Sequence, residues 1–278
     1  MIYPSILTIC VNYLNEEDTL SFVNELINLK SYEDGIVIVV VNGEGSQKLK
    51  FLKHEKIIIK YPEKNLGYLG GANWAFQEYL KNNPLPNWVI VSNTDISFKD
   101  KDFFLKLKKY KETNNLGVIA PNIELVTKSA LPSTYKYQNP HMRFPPNKTK
   151  IKILRIISKY YLLYFLYEIC SCLKYVILNK LFNVKITEPI EIYAPFGAFI
   201  IFHRDYFEKG GNLNYKNFLY GEEIFVAETC RKLGLKIIYD PHLEIFHYEH
   251  GSLKHCSSLQ RFYYFKKTIE NFNDFLKD

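Results

Sequence analysis

The sequence predicts an α/β domain in which a Rossmann-like, mostly parallel central sheet is flanked by helices. Strand-like and helix-like segments alternate through the first third of the chain, which is typical of βαβ units and a doubly wound sheet. GIVIVVVNG (35–43) is an unbroken apolar run rich in β-branched residues, as expected of a central parallel strand buried on both faces. Polar residues stand directly after several strands, where the ligands of such sheets bind.

Each element of the first third has its own signal. Further strands are predicted from ILTICVNY, KIIIKY and NWVIVSNTD, over 6–13, 56–61 and 87–95. NEEDTLSFVNELINLK (15–30) predicts an amphipathic helix with acids in its first turn, where the helix dipole favours them. GGANWAFQEYLKNN (70–83) predicts a second helix. One cleft at the strand ends is therefore expected to collect Asn42, the NLGYLGG turn (65–71) and Asp95.

The remaining segments continue the same domain. Residues 127–150 are rich in Pro, Lys and Asn and predict a loop or linker. Residues 151–183 are apolar and rich in Tyr and predict helix. The segments after them predict a strand, a helix, a strand and a final helix over 192–204, 221–234, 236–241 and 258–277.

The formal net charge of +7 is concentrated in one segment. Residues 125–167 contain eight Lys and Arg and no Asp or Glu, so the rest of the chain sums to −1. Such a local excess is expected to face an anionic partner, for which nucleic acid and an acidic membrane surface are the candidates. The aromatic residues of 160–167 form an apolar block and do not alternate with the charges, so no nucleic-acid partner is expected.

Residues 151–183 leave two interpretations open. Lys159, Glu168 and Lys174 interrupt every window long enough to cross a bilayer, so a transmembrane helix is not expected. The segment is either a helical subdomain packed on the core or an interfacial helix, with Tyr at headgroup depth and Lys and Arg on anionic lipid.

The N-terminus and the cysteines predict the compartment. The N-terminus lacks the basic region of a secretory signal, and the five cysteines are scattered and odd in number. We expect a reduced, cytoplasmic protein. If the interfacial interpretation holds, it lies at the inner face of the membrane.

Two of four candidate clusters suit a phosphate and a metal. In KNLGYLGGANWAF (64–76), Gly67, Gly70 and Gly71 run into a helix, where backbone N–H groups can approach a phosphate; a plain tight turn is the alternative. Asn93-Thr94-Asp95 places an acid at a strand end, two residues after a second oxygen donor. This suits a hard divalent cation that bridges a diphosphate, with helix capping as the alternative.

The other two clusters are acidic and histidine-rich. Glu222 and Glu223 are adjacent at a predicted helix start, so one can face a cleft as a general base for a hydroxyl; a solvated first turn is the alternative. HLEIFHYEHGSLKHC (242–256) matches no zinc spacing, and no second Cys pair exists, so structural zinc is disfavoured. His247 or His250 is instead expected to reach a metal held by Asp95.

Taken together, these segments resemble the inverting family 2 glycosyltransferases of the GT-A fold, and most closely the rhamnosyltransferase-like members that build bacterial surface polysaccharides. Six segments carry the similarity in order: TICVNYLNEEDTL, IVIVVVNGEGS, KNLGYLGGANWAF, WVIVSNTDISF, FGAFIIFHRDYFEKGGNLNYKNFLYGEE and FHYEHGS. The resemblance implies one domain over 1–278. Its parts are a nucleotide-sugar-binding half (1–126), a loop with an apolar, basic helical segment (127–190) and an acceptor and catalytic half (191–278).

The resemblance also implies an activity and its residues. A sugar, rhamnose or another hexose, would move from a nucleotide-diphosphate donor to a saccharide or lipid-linked acceptor in O-antigen or capsule synthesis. Mg²⁺ or Mn²⁺ would lie at Asp95, with His247 in its shell, and Glu223, with Glu222 beside it, would deprotonate the acceptor hydroxyl. The implied donor-binding residues are Asn12, Asn42, Asn65, Gly67, Gly70, Gly71, Asn73, Asn93, Thr94 and Asp95.

Three positions depart from the family pattern. Asn42 stands where the strand normally ends in an aspartate that reads the base or ribose, which leaves the nucleotide open. Asn93 stands where many relatives have a first Asp, so Asp95 carries the charge of the metal motif alone. Glu223 is one methylene longer than the usual Asp base and differs in reach.

Other functional classes fit parts of the sequence. A noncatalytic membrane- or nucleic-acid-binding protein would use the basic segment, and tight, salt-sensitive DNA binding would indicate it. A nicotinamide-dependent oxidoreductase is disfavoured because G-x-G-x-x-G is missing. A sugar nucleotidyltransferase is disfavoured because NYLNEEDT (12–19), after the first strand, is acidic and repels a triphosphate.

Overall fold

The computed structural model describes residues 4–43, 48–126, 134–135, 142–170, 186–248 and 256–275. The predictions for His250, for His255 and for the part of 151–183 beyond residue 170 lie outside these ranges. Across the described ranges, no helix combines the length and the hydropathy that a bilayer crossing needs.

Strands and helices alternate in the first third, as predicted. The strands are β1 (Ile6–Asn12), β2 (Gly35–Val41), β3 (Ile57–Lys60), β4 (Trp88–Ser92), β5 (Ile96–Phe98), β6 (Leu116–Val126), β7 (Thr134–Tyr135), β8 (Ile190–Ile192), β9 (Phe199–His203) and β10 (Lys236–His247). The helices are α1 (Glu16–Asn28), α2 (Tyr68–Leu80), α3 (Phe103–Lys108), α4 (Lys148–Ile157), α5 (161–170), α6 (Arg204–Glu208), α7 (Glu222–Lys232) and α8 (Ser258–Phe275).

The strands of the described residues form one sheet in the order β3-β2-β1-β4-β9-β6-β10-β5. The first four are mutually parallel, which confirms the predicted βαβ half. Beyond β4 the sheet is mixed, because β9 runs antiparallel to both β4 and β6. The alternation of strands and helices that produces parallel strand pairs ends before residues 127–190. Strand β9 follows that insertion in the chain.

Side-chain alternation along β1 explains why both faces of the sheet are buried. Leu7, Ile9 and Val11 pack on one face with α2 and α7, whereas Ile6 and Cys10 pack on the other face with α1 and α3. A strand covered on both faces needs mostly apolar residues, which is the pattern of β2 and, apart from Thr8 and Asn12, of β1.

Three predicted boundaries differ from the structure. The strand predicted over 236–241 continues to His247 as β10. The strand expected over 192–204 begins only at Phe199, because the backbone N–H groups of Tyr193 and Ala194 bond instead to the Met142 carbonyl, at 3.2 and 3.1 Å. The loop predicted over 127–150 is shorter in the structure, because α4 begins at Lys148. The Asn147 side chain caps that turn by accepting from the Lys150 backbone N–H at 2.7 Å.

The topology brings the chemically interesting residues to one edge. The carboxyl ends of β1, β2 and β4 lie side by side, so the residues that follow them meet there. The end of β10 reaches the same place from the second half of the chain, since His247 is the register partner of Ile96 in β5. The fold therefore assembles one site from both halves.

Replacing Phe199 with Ala is expected to destabilise the protein strongly. Phe199 is fully buried and packs edge-on against Phe98 and Phe103, so the variant loses apolar burial and leaves a cavity. We expect the free energy of unfolding, measured with urea, to fall by about 3–5 kcal/mol. The matched control is Phe51→Ala, because Phe51 is 80% exposed and should change little. Equal stability of the two variants would contradict this core assignment.

Candidate active site

A cavity of about 680 Å³ lies at the carboxyl ends of β1, β2 and β4. Its size falls within the roughly 300–1,000 Å³ of small-molecule sites. Seven predicted site residues line it: Asn42, Asn65, Gly67, Asn93, Glu222, Glu223 and His247. The rest of the wall includes aromatic side chains from several elements. Most of the site residues predicted from separate segments are thus brought to one place.

Asn42 is buried and uses its amide within the protein. Its Nδ2 donates to the carbonyl of Gly67 at 2.8 Å, and its Oδ1 accepts from the backbone N–H of Leu66 at 2.8 Å. These two bonds tie the end of β2 to the NLGYLGG turn. Asn42 therefore positions the cavity wall, and its role in donor binding stays a prediction.

Gly67 begins the turn in a conformation that requires glycine. Its φ is +74°, and a Cβ there would stand 2.6 Å from the backbone oxygen of Phe218. Asn65 supports the turn by accepting from the Gly67 N–H at 3.0 Å through Oδ1. The glycine allows two loops from distant parts of the chain to close one side of the cavity.

The other predicted donor residues do not line the cavity. Gly70, Gly71 and Asn73 lie inside α2, and a Cβ on Gly71 would touch Val11 and Val40 of the sheet, so this glycine serves helix–sheet packing. Asn12 is buried, and its Oδ1 accepts from the Asn15 N–H and the Thr19 hydroxyl, both at 3.1 Å. Thr94 is also buried. Asp95, the sixth predicted donor residue outside the wall, is buried as well, and contact of all six with a donor stays a prediction.

Asp95 and His247 form a buried pair at the edge of the cavity. His247 Nε2 lies 3.2 Å from Asp95 Oδ1, and both side chains are buried. A backbone bond holds the two segments together: the Tyr248 N–H donates to the Asp95 carbonyl at 2.9 Å. The acid at the strand tip therefore has a cationic or hydrogen-bonding partner, as its burial demands.

This pair fits a divalent cation. Two ligand atoms on neighbouring vertices of an octahedron with bonds of about 2.1 Å stand about 3 Å apart, close to the separation of the Asp95 and His247 atoms. The other ring nitrogen of His247, Nδ1, is buried and finds no hydrogen-bond partner among the described residues, so no bond to those residues orients the ring through it. Those residues contain no group of three or more His, Cys, Asp or Glu that could hold a metal. The remaining ligands would come from water and a bound diphosphate, as is usual for Mg²⁺.

Glu222 and Glu223 open α7 with different environments. Glu222 is buried, and burial, together with the charge of Glu223, raises its pKa to about 8. Glu223 is partly exposed in the cavity, and its carboxylate lies against Gly197, where a Cβ would stand 2.8 Å from Oε1. At neutral pH Glu222 is therefore mainly protonated, and Glu223 is the carboxylate that faces the open space.

The loop before α7 is held by α8. The Thr268 hydroxyl donates to the carbonyls of Leu219 and Tyr220, at 2.8 and 3.1 Å, and the Asn271 amide donates to Asn217 Oδ1 at 2.5 Å. Tyr220 has a φ of +66°, an uncommon value for a residue other than glycine. Helix α8 thus fixes the strained turn that aims the acidic pair.

Sequence reasoning missed two parts of the wall. Tyr68 follows Gly67 and lines the cavity; its hydroxyl is buried and has no hydrogen-bond partner among the described residues. Burial and then the charge of Glu222 hold the Tyr68 pKa well above its usual value, so its hydroxyl keeps its proton and can donate a hydrogen bond at neutral pH. Gln260 and Tyr264 of α8 also line the cavity, although no local signal in that helix indicates a site.

Two other members of the histidine-rich segment lie at different places. His242 is away from the cavity wall and bonds through Nδ1 to Asp240 Oδ1 at 3.0 Å. Cys256 lines the cavity. Of the two histidines proposed as metal ligands, His247 is placed beside Asp95, and His250 lies outside the described residues.

No protein-family model matches the sequence, and no curated protein matches it. Solved structures do match. The crystal structure of GalNAc-T7 with UDP, GalNAc and Mn²⁺ is similar with a TM-score of 0.59 and 12% identity, over 88% of this chain and 44% of the other chain. The mannosyltransferase PcManGT from Pyrobaculum calidifontis, in complex with GDP-Man and Mn²⁺, is similar with a TM-score of 0.51 and 11% identity, over 90% of this chain and 59% of the other.

The likeness concerns the fold, because the identity is low and the chain spans less than two thirds of either neighbour. Both neighbours are glycosyltransferases, and this chain shares their mixed α/β architecture, with a central sheet flanked by helices. The GT-A glycosyltransferase fold predicted from the sequence is thereby confirmed.

Proposed function

We propose that the protein is a metal-dependent, inverting glycosyltransferase of the family 2 type. It would transfer rhamnose or another hexose from a nucleotide diphosphate to a saccharide or lipid-linked acceptor in bacterial surface polysaccharide synthesis. One observation supports the proposal above the others: on a GT-A fold, His247, which pairs with the buried Asp95, and Glu223 line a single cavity.

The donor would occupy the part of the cavity between β2, β4 and α2. Asn65, Gly67 and Asn93 line this side, and the first backbone N–H groups of α2 are favourable partners for phosphate oxygens. The unpartnered Tyr68 hydroxyl can donate a further hydrogen bond to a phosphate or to a sugar hydroxyl. UDP and GDP-Man are the nucleotides bound by the two structural neighbours, and neither choice is assigned to this chain.

Asp95 and His247 would hold Mg²⁺ or Mn²⁺. When bound, such a cation neutralises charge on the departing nucleotide diphosphate. The protein's own contribution is to present one carboxylate oxygen and one imidazole nitrogen 3.2 Å apart in a buried position, so that little reorganisation is needed.

Glu223 would act as the general base. It accepts the proton of the acceptor hydroxyl while that oxygen forms a bond to C1 of the sugar, and the bond from C1 to the phosphate oxygen breaks on the opposite face. The configuration at C1 is therefore inverted. Glu222, protonated beside it, avoids a second negative charge next to the diphosphate.

Glu223→Gln is expected to abolish transfer while the fold survives. Loss of a general base lowers kcat by about 10²–10⁴-fold. Glu222→Gln should retain most of the activity, because Gln replaces an acid that is already neutral at pH 7. Sugar transfer, measured with purified variants and Glu112→Gln as an exposed control, tests both expectations. The reverse result, an active Glu223→Gln and an inactive Glu222→Gln, would assign the base to Glu222.

Asp95→Asn is expected to remove metal-dependent donor binding. In a thermal-shift screen of nucleotide sugars, the wild type should gain stability with Mn²⁺ and the matching donor, by about 2.7 kcal/mol at a hundredfold excess over Kd. The variant should show no additional shift on adding Mn²⁺. Asp102→Asn, an exposed Asp near β5, is the matched control. An unchanged Mn²⁺ effect in Asp95→Asn would place the cation elsewhere.

Glu222 should make the protein less stable as the pH rises. Its pKa is about 8 when folded and about 4.5 when unfolded, so the folded state holds more protons between these values and loses stability with increasing pH. Glu222→Gln should remove this slope. In urea unfolding, we expect the variant to be more stable than the wild type near pH 9 by at least about 1.4 kcal/mol, the value of one pKa unit. The difference should nearly vanish near pH 4, and parallel pH profiles would contradict the assignment.

A further inference from the structure

Helix α5 exposes an apolar face. Five large apolar side chains stand in solvent along its ten residues, and Leu162, at 67% exposure, is the most exposed of them: Leu162, Leu163, Phe165, Leu166 and Ile169. Residues 161–167 contain no charge. Contiguous exposed apolar surface of this kind is typical of an interaction site.

Helix α4 adds apolar and basic residues on its outer side. Leu154 and Ser158 face inward, whereas Ile153 and Ile156 are exposed. Five exposed cations stand in or directly beside the same helix: Lys148, Lys150, Lys152, Arg155 and Lys159. No Asp or Glu occurs between residues 142 and 167. The first acid after them, Glu168, accepts from the Tyr164 hydroxyl at 2.6 Å and pairs with Arg261 at 3.3 Å.

Both helices are anchored to the domain by their inner sides. Leu154 of α4 packs with Ile224 of α7 and Ile269 of α8. Tyr164 of α5 packs against Phe262 and Phe265 of α8, with ring centroids 5.4 and 5.0 Å apart. The exposed face is therefore held outward by packing on the catalytic half.

We propose that the outer face of α4 and α5 docks on an anionic lipid bilayer. A bilayer interface matches both properties of the surface, since it accepts apolar side chains to a depth of about 5–10 Å and attracts cations through its headgroups. A nucleic acid would neutralise the lysines but would leave the α5 side chains facing water. Tyr160 and Tyr161, both exposed at the junction of the two helices, suit the headgroup level.

Helix α8 and α5 itself lie between the docking surface and the cavity. One side of α8 contributes Gln260 and Tyr264 to the cavity wall, and Phe262 and Phe265 on another side pack against α5. A helix is about 10–12 Å across, so a bilayer on the outer face of α5 would lie about two helix diameters from the cavity. This arrangement favours a lipid-linked acceptor over a free saccharide. That consequence rests on the proposed function, whereas the docking itself does not.

Vesicle co-sedimentation of the full chain tests the docking without any nucleotide sugar. We expect the wild type to bind vesicles of phosphatidylglycerol and phosphatidylcholine, to bind pure phosphatidylcholine weakly, and to be released by high salt. Lys152→Glu with Lys159→Glu should weaken partitioning by about 30-fold or more, because each Lys near the surface contributes about a fivefold factor. Leu162→Ser with Leu166→Ser should weaken it at least about tenfold.

Matched variants on other surfaces control for charge and hydrophobicity. Lys50→Glu with Lys53→Glu makes the same charge change at exposed positions outside α4 and α5. Leu105→Ser removes an exposed leucine of α3. Neither control should alter vesicle binding. Circular dichroism checks that every variant is folded. Absence of binding to anionic vesicles at low salt, or equal binding by all variants, would overturn the proposal.

Competition with duplex DNA distinguishes a nucleic-acid partner from the proposed lipid partner. Binding to DNA that equals binding to anionic vesicles, and that survives Leu162→Ser with Leu166→Ser, would identify a nucleic-acid surface and overturn the lipid assignment. Because the assay measures partitioning alone, a protein that docks but transfers no sugar would refute only the proposed function. A protein that transfers sugar but does not dock would refute only this inference.

Discussion

The contact between Asp95 and His247 joins the two halves of the domain. Asp95 belongs to the link between β4 and β5, and His247 ends β10, so the pair exists only because β5 lies antiparallel on β10. A carboxylate this deeply buried is costly without a positive or hydrogen-bonding partner. Because of this pair, the register of β5 on β10 affects both the stability of the fold and the proposed chemistry.

Helix α8 has a comparable role on the other side of the cavity. It holds the turn before α7 through Thr268, supplies Tyr264 to the cavity wall and carries α5 on its outer side. The Tyr264 ring also stacks on Phe218, the residue whose backbone closes over Gly67. Aiming of the acidic pair, closure of the cavity and presentation of the basic, apolar surface thus involve one helix.

Patterns that are local in the sequence predicted where the cavity lies. β-Branched runs identified the parallel strands, and the polar residues after them identified the strand-end cleft, because a parallel sheet places all carboxyl ends at one edge. Tyr68 was not predicted although it lies inside the recognised turn, because the glycines around it carry the sequence signal. The two Asn42 bonds to that turn could not be foreseen, because they join residues 24 and 25 positions apart whose proximity depends on the sheet.

By itself the sequence determined the α/β class, the parallel half of the sheet, the cleft and the concentration of positive charge in one segment. These follow from side-chain periodicity and from residue type, which are properties of short stretches. Only the tertiary structure decided that β9 is antiparallel, that Glu222 is buried while Glu223 faces the cavity, and that α5 turns its apolar side outward. Burial and pairing depend on contacts between segments far apart in the chain, and adjacent residues such as Glu222 and Glu223 acquire different roles only when those contacts form.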